Sequence, residues 1–313
     1  MEVGGDDVDS DVEESEEYKK SQKVVQPSKK MIEEHELENH ATYRNWCPVC
    51  IQSRGLGQQH RKAAKKEKAD DADGARIYSD FYFMSTDEAT VPMLCVKFSR
   101  SKRLAATSLP QKGVSAFAVK WFAGFVAETG VKRYINHSDN EAAMLALKNA
   151  AAAAVQGVEA VPRSCPVGDH QANGDIEVGI REVKRQMRCV RSSLEARLGQ
   201  RLEEKDPMLM WIPQFSADVI ARYRKGKDGK TPYHREKEVQ WKKPPLQFGE
   251  KIFIKEAIEQ SGKPKRDWEA KMVEVRYVGH HSRSGAVMGL SDSGVRFGRG
   301  FNRLPEDKRW SME

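Results

Sequence analysis

The sequence predicts an α/β protein: a mixed five-stranded sheet with helices on both faces, a small N-terminal His/Cys module and a small C-terminal β-barrel. Three observations carry that reading. From Arg76, three strand-like runs are followed by alternating helix and strand patterns, which define a mixed sheet covered by helices. From about Phe248, short strands punctuated by glycine take over, the rhythm of a small barrel. Ahead of both, His35, His40, Cys47 and Cys50 crowd together in a chain with only five cysteines.

The elements follow in order. Residues 1–27 are acidic and poor in apolar side chains, so a disordered tail is expected. Residues 28–55 hold the helix-like KKMIEEHELENH and the word WCPVC, and 56–75 read as a charged linker without a burial pattern. The central domain spans 76–226. RIYSDFYFM, VPMLCVKFS and RLAATSLP are its first three strands, and VSAFAVKWFAGFVAETG is a helix apolar on most sides. KRYINHSD is the fourth strand, NEAAMLALKNAAAAAV an Ala-rich helix, and EAVPRSCPV a short fifth strand interrupted by Pro162. NGDIEVGIREVKRQMRCVRSSLEARLG and MLMWIPQFSADVIARYRKG read as two further helices. Residues 227–247 are a linker and 248–305 the barrel.

Charge points to a polyanion. The net charge is +7, but residues 1–17 hold nine acidic and no basic residues, which leaves +16 for the rest. A basic body with an acidic tail suits nucleic acid as partner, and so do 22 Lys/Arg against 13 Asp/Glu over 220–313. No apolar run reaches the length of a membrane span, and the start lacks the basic and apolar regions of a secretory signal. Five cysteines, only two closely spaced, argue against a disulfide framework and for a reducing compartment.

Three carboxylates stand where a charge is awkward unless it has a function. Asp80 interrupts an aromatic-rich strand, where an unpaired charge is costly. Asp139 ends the fourth strand, and Glu177 opens the long basic helix. Brought together, three such groups can hold two Mg²⁺ ions for phosphoryl transfer. Each has an ordinary alternative: Asp139 as a helix N-cap, Glu177 as a first-turn Glu favoured by the dipole. Asp169 and Asp175 compete with Glu177 as third ligand. Glu177, Arg181, Lys184 and Arg188 share one face of their helix, while Ile176, Ile180, Val183 and Met187 form an apolar stripe that should pack on the sheet. His35-x4-His40-x6-Cys47-x2-Cys50 offers two imidazoles and two thiolates, a tetrahedral Zn²⁺ set of structural type, with His60 able to replace His35.

The strand order and the three acids resemble the RNase H-like catalytic core of retroviral and retrotransposon integrases. Ser138-Asp139-Asn140 resembles the family's second-Asp word, and Asn173-Gly174-x-x-Glu177 its third. GKTPYHRE at 229–236 is similar to the Thr-Pro-Tyr word that follows the core in copia-type elements, and the His/Cys set resembles the family's zinc module with a shortened His-to-Cys separation. The resemblance spans roughly residues 30–305. It implies a polynucleotidyl transferase that processes element DNA ends and joins them to target DNA. Asp80, Asp139 and Glu177 would be catalytic and bind Mg²⁺ or Mn²⁺; His35, His40, Cys47 and Cys50 would bind Zn²⁺; Arg181, Lys184 and Arg188 are the DNA-contact candidates. It also implies a homo-oligomer acting in the nucleus (the cytoplasm being the other reducing compartment). The initial Met, with no protease or reverse-transcriptase segment, suggests a fragment of a polyprotein gene or a stand-alone remnant. Two rival readings share this fold: a non-catalytic DNA-binding descendant, and an RNase H-like nuclease that cuts without joining.

Overall fold

In the computed structural model, which describes residues 26–54, 74–85, 90–164, 174–256 and 268–310, the central pattern becomes one mixed sheet. β1 (Arg76–Ser85), β2 (Thr90–Phe98) and β3 (Leu104–Ser108) form an antiparallel meander. β4 (Arg133–Ser138) pairs parallel to β1, and β5 (Glu159–Ser164) parallel to β4, so the order is β3-β2-β1-β4-β5. Parallel neighbours need long crossovers, which α3 (Ala116–Thr129) and α4 (Ala142–Ala153) supply. Pro162 lies in β5 at the sheet edge, where a missing N–H is tolerated.

Alternation along β1 sorts its side chains between two cores. Ile77 and Phe81 pack with Phe122, Met144 and Leu147 from α3 and α4. Tyr78 and Tyr82 face the other way, into a cluster with Ile176 and Val183 of α5 (Gly174–Leu198) and Ile212 and Phe215 of α6 (Ile212–Tyr223). Each fully buried Leu, Phe or Met contributes about 1.5–3 kcal/mol. Helices therefore cover both faces, as expected. The segment read as one helix from Met208 begins instead as a 3-10 turn, Pro207–Trp211, and becomes α-helical at Ile212, with Pro213 in the first turn where no N–H is needed.

The N-terminal module consists of α1 (Lys29–Leu37) and α2 (Pro48–Arg54), and α2 packs on α5. Gln186 of α5 is buried between the two: its Nε2 donates to Asn39 O at 2.6 Å, and its Oε1 accepts from Arg54 Nη2 at 3.0 Å. Asn39 in turn donates to Leu246 O and accepts from Phe248 N, which ties the module to the barrel entrance. The Thr-Pro-Tyr linker is not a free spacer. It forms α7 (Pro232–Lys237), capped by Thr231, and its Glu236 pairs with Arg103 at 2.6 Å.

β6 (Lys251–Glu256), β7 (Val273–His280), β8 (Val287–Ser291) and β9 (Gly294–Arg303) close a four-stranded barrel. Phe215 of α6 joins the barrel to the core through ring contacts with Phe248 and Tyr277. At the barrel entrance Gly249 has φ +78°, a left-handed conformation that glycine adopts without strain. Among the described residues no helix is long and apolar enough to cross a membrane.

Candidate active site and metal centre

Strand register brings two of the acids together. The β1–β4 ladder ends at Tyr78↔His137, and Asp80 and Asp139 each lie two residues further on. Asp139 follows directly on the end of β4, two residues past His137, whose ring packs edge-on against Tyr78 at 5.2 Å, and period-two alternation keeps Asp80 on the Tyr78 and Tyr82 face. That is the face α5 covers. Ile176, fully buried beneath the helix, sets its first turn over the sheet and leaves the adjacent Glu177 exposed. Three acids from a strand, a strand end and a helix start thus approach one end of the sheet.

Their charges reach one another. Burial, then the neighbouring Asp139, then Glu141 and Glu177 push the Asp80 carboxyl up to about 7, against a weaker opposing bond from the Phe81 backbone. The carboxylate oxygens do not close into a single knot, however. Among the described residues only the His/Cys ligand atoms lie mutually within 4.8 Å. The donor set, hard carboxylate oxygens only, suits Mg²⁺ or Mn²⁺ and not a softer ion.

A raised folded-state carboxyl has a definite sign. Below the ordinary value of 3.8, Asp80 is protonated whether folded or not; between there and about 7 the native state holds the extra proton. Stability therefore falls as pH rises through that window, and the penalty is complete above it. In chelator-treated protein, Asp80→Asn should raise the melting temperature by about 3–6 °C at pH 8 and leave it unchanged at pH 4. Calorimetry at the two pH values decides; an equal shift at both would contradict the electrostatic account.

Of the rival third ligands, Asp175 is committed elsewhere. Lys97 of β2 pairs with its carboxylate at 3.4 Å and donates to its carbonyl at 3.0 Å, pinning the start of α5 to the sheet. Asp169 and Asn173 lie outside the described residues. Along α5, Arg181 is exposed, and Lys184 sits over the Tyr82 ring at 5.4 Å. Arg188 is exposed too, but its Nε donates to Ser53 O of α2 at 2.6 Å.

His35 comes from α1, His40 from the turn after it, Cys47 from the residue before α2 and Cys50 from α2 itself. His40 Nδ1 lies 3.0 Å from His35 Nε2 and 3.5 Å from Cys47 Sγ; Cys50 Sγ lies 3.3 Å from His35 Nε2 and 4.0 Å from His40 Nδ1. A zinc tetrahedron with bonds of about 2.0–2.3 Å has edges of about 3.3–3.8 Å, so the four atoms fit one ion. All four residues are buried, which suits a closed, structural site. His60 lies outside the described residues, and His35 fills the position for which it was the alternative.

Supporting contacts are built around this cluster. Asn39 and His40 both adopt left-handed backbone, φ +52° and +57°, which turns the chain so that His40 points back at His35. His40 Nε2 meets Ser193 Oγ of α5 at 3.3 Å, the outer-shell bond that fixes a ligating imidazole. The Cys47 thiol is held well below the usual range, first by a hydrogen bond from Cys50 and then by those from His35 and His40. Cys50 is correspondingly pushed up, first through its bond to Cys189 of α5. Trp46 packs edge-on against His35 at 5.1 Å.

Sequence reading missed several of these partners. Glu141 joins the carboxylate group, with Lys112 as its ion-pair partner, because α4 starts immediately after the Asp139 turn. Asp139 is not the N-cap of α4, a position that Glu141 takes; its Oδ1 instead accepts from Glu141 N at 3.2 Å in the turn ahead of the helix. Lys148 is buried to 1% exposure and donates to Ser138 Oγ at 2.9 Å; Ser138 Oγ donates to Asp139 O at 2.8 Å. The one visible signal was a lysine on the apolar face of an Ala-rich helix. Cys189 had no local signal at all.

No family model matches the chain, and no curated protein does. Among solved structures it is similar to a chain of the simian T-cell lymphotropic virus intasome in complex with PP2A regulatory subunit B56 gamma, at 12% identity and TM-score 0.36, over 73% of this chain and 81% of that one. It is also similar to the HTLV-2 integrase catalytic core domain in complex with magnesium, in a trimeric form (10%, TM-score 0.35, 51% of this chain and 94% of that one). A third likeness is to the BIV integrase catalytic core domain (16%, TM-score 0.33, 51% and 93%).

Proposed function

We propose that the chain is a retrotransposon-type integrase, of the copia sort, that processes element DNA ends and joins them to target DNA in the nucleus. The observation that carries the proposal is the convergence of Asp80, Asp139 and Glu177 at one end of the sheet, at the foot of a helix whose outer face is basic. Asp80, Asp139 and Glu177 would hold Mg²⁺ or Mn²⁺, which when bound supplies charge neutralisation for phosphoryl transfer. Arg181, Lys184 and Arg188 would contact the DNA backbone and hold its end over the acids. His35, His40, Cys47 and Cys50 would hold a structural Zn²⁺. Two element ends must be inserted together, which favours a homo-oligomer.

Lys148 acts here as a positioning residue, since its bond to Ser138 steadies the backbone that carries Asp139. Lys148→Met should lower the single-turnover rate by about 10–100-fold, as small misplacements of a reacting group do, while leaving DNA affinity unchanged. Anisotropy titration beside single-turnover kinetics separates the two quantities; equal losses in both would instead mean a general folding defect.

The functional test is a strand-transfer assay with labelled DNA ends and Mn²⁺, run beside a supercoiled-plasmid assay that resolves joined from nicked product. Joined product supports the integrase reading. Nicking alone favours a nuclease, and binding without either product favours a non-catalytic DNA-binding protein.

A further inference from the structure

The molecule has a second basic feature that the acids do not explain. Between α2 and α5 lies a cleft of about 340 Å³, lined by Gln52 and Ser53 on one side and by Arg188, Arg191, Ser192 and Arg201 on the other. Three guanidinium groups face it against one carboxylate, Glu195. That carboxylate is engaged within the protein, accepting from Arg191 Nε at 2.8 Å and from Leu202 N at 3.1 Å, and so holds the turn towards Arg201 in place. Arg188 uses Nε on Ser53 O, which leaves its two terminal nitrogens for another acceptor, and Arg191, whose Nη2 donates to Leu202 O at 3.4 Å, has Nη1 to offer. Every lining residue is polar, so the cleft suits an anion and not an apolar ligand.

Its position is the second argument. On a 100°-per-residue wheel, Arg181, Lys184, Arg188, Arg191 and Ser192 all fall within roughly 60° of Glu177. The cleft therefore lies on the same face of α5 as that acid, about 16–21 Å along the helix axis. That distance corresponds to about five or six nucleotide steps of a duplex strand. The opposite faces of α5 are buried, by the sheet through Ile176 and Val183 and by the N-terminal module through Gln186. An exposed to half-buried row of basic residues runs from the acid to the cleft.

We propose that this cleft binds a backbone phosphate of DNA whose end lies at the acids, with Arg191 and Arg201 as its principal contacts beside Arg188. The proposal rests on the DNA-acting reading above and adds a site to it. Packing of α2 against α5 creates the site, so the metal module would shape a DNA contact without touching DNA through its metal ligands.

The test measures the affinity of the full chain for a 20-bp end-labelled duplex as a function of salt. Arg191→Gln with Arg201→Gln should lower the slope of log affinity against log salt by about 2 and weaken binding by about tenfold or more at 0.15 M salt. Neutral methylphosphonates scanned inward from the end should weaken wild type at one position near the fifth or sixth phosphate, and that sensitivity should vanish in the double variant. Gln52→Glu places a negative charge in the cleft from an exposed position and disturbs no arginine bond; it should weaken binding as well, and it decides the matter if the double variant melts early. Wild type that binds while both variants keep its slope and affinity overturns the cleft. Wild type that binds and loses the predicted slope in the variants, but never joins or cuts DNA, keeps the cleft and overturns the enzymatic reading. No DNA binding by wild type overturns both.

Discussion

Cys50→Ser is expected to abolish zinc binding and to lower the melting temperature of the whole chain by about 10–20 °C, equivalent to losing roughly 4–5 kcal/mol. The size follows from where the cluster sits. A free-standing finger would unfold alone and leave the remaining domains untouched. Here the turn that carries His40 also carries Asn39, which bonds to Leu246 and Phe248 at the barrel entrance and to Gln186 in the middle of α5. Arg54, at the end of the helix that begins beside Cys47, donates to His40 O, Ala41 O and Gln186 Oε1. Left-handed backbone at two consecutive non-glycine residues is costly, and the ion is what would hold it. Loss of the ion therefore exposes several buried polar groups at once, each worth about 1–3 kcal/mol when left unsatisfied. Calorimetry with metal content by mass spectrometry checks this. One equivalent of zinc in wild type and a single, shifted transition in the variant is the expected result. A wild-type preparation without zinc, or a variant whose main transition stays in place, would sink the structural-zinc assignment.

On the proposed function, Asp139→Asn should reduce strand transfer by about 10³-fold, roughly 4 kcal/mol of transition-state stabilisation, without unfolding the protein. The substitution is nearly isosteric. Asn retains an oxygen that can accept from Glu141 N, so the turn into α4 survives. Removing one negative charge from a group that already holds Asp80, Glu141 and Glu177 also relieves repulsion, and DNA affinity should hold or rise slightly. This pairing of outcomes, activity lost and binding kept, is what a folding defect cannot imitate. Equal joining by variant and wild type would remove Asp139 from the catalytic set.

Much of this architecture is legible in one dimension because it is periodic. Alternation in RIYSDFYFM sorts Tyr78, Asp80 and Tyr82 to one face, and helical spacing in the segment from Ile176 separates a buried stripe from a basic one. The His/Cys spacing is legible for a similar reason, since two thiols three positions apart sit on one turn of chain. Helix geometry poses the choice between Asp175 and Glu177, and the structure adds an ion pair of Asp175 with Lys97, 78 positions earlier, that no local pattern shows. The α7 helix escaped because its stability comes from docking Glu236 onto Arg103 more than from any pattern of its own six residues.

What the sequence alone determined is the set of local elements and the chemistry each could offer: a strand interrupted by an acid, a strand ending in one, a helix beginning with one, and four soft and borderline metal ligands in a short span. Tertiary structure alone decided which of them meet. The register of β1 against β4 sets Asp80 and Asp139 at the same end of the sheet, and burial of Ile176 places Glu177 near enough to act on the Asp80 charge. Packing of α2 on α5 makes the arginine cleft, brings Cys189 and Ser193 to the metal cluster, and turns a small module into part of the core. The physical reason is that periodicity is a property of neighbours along the chain, whereas polar satisfaction and charge coupling depend on neighbours in space, which only the folded chain defines.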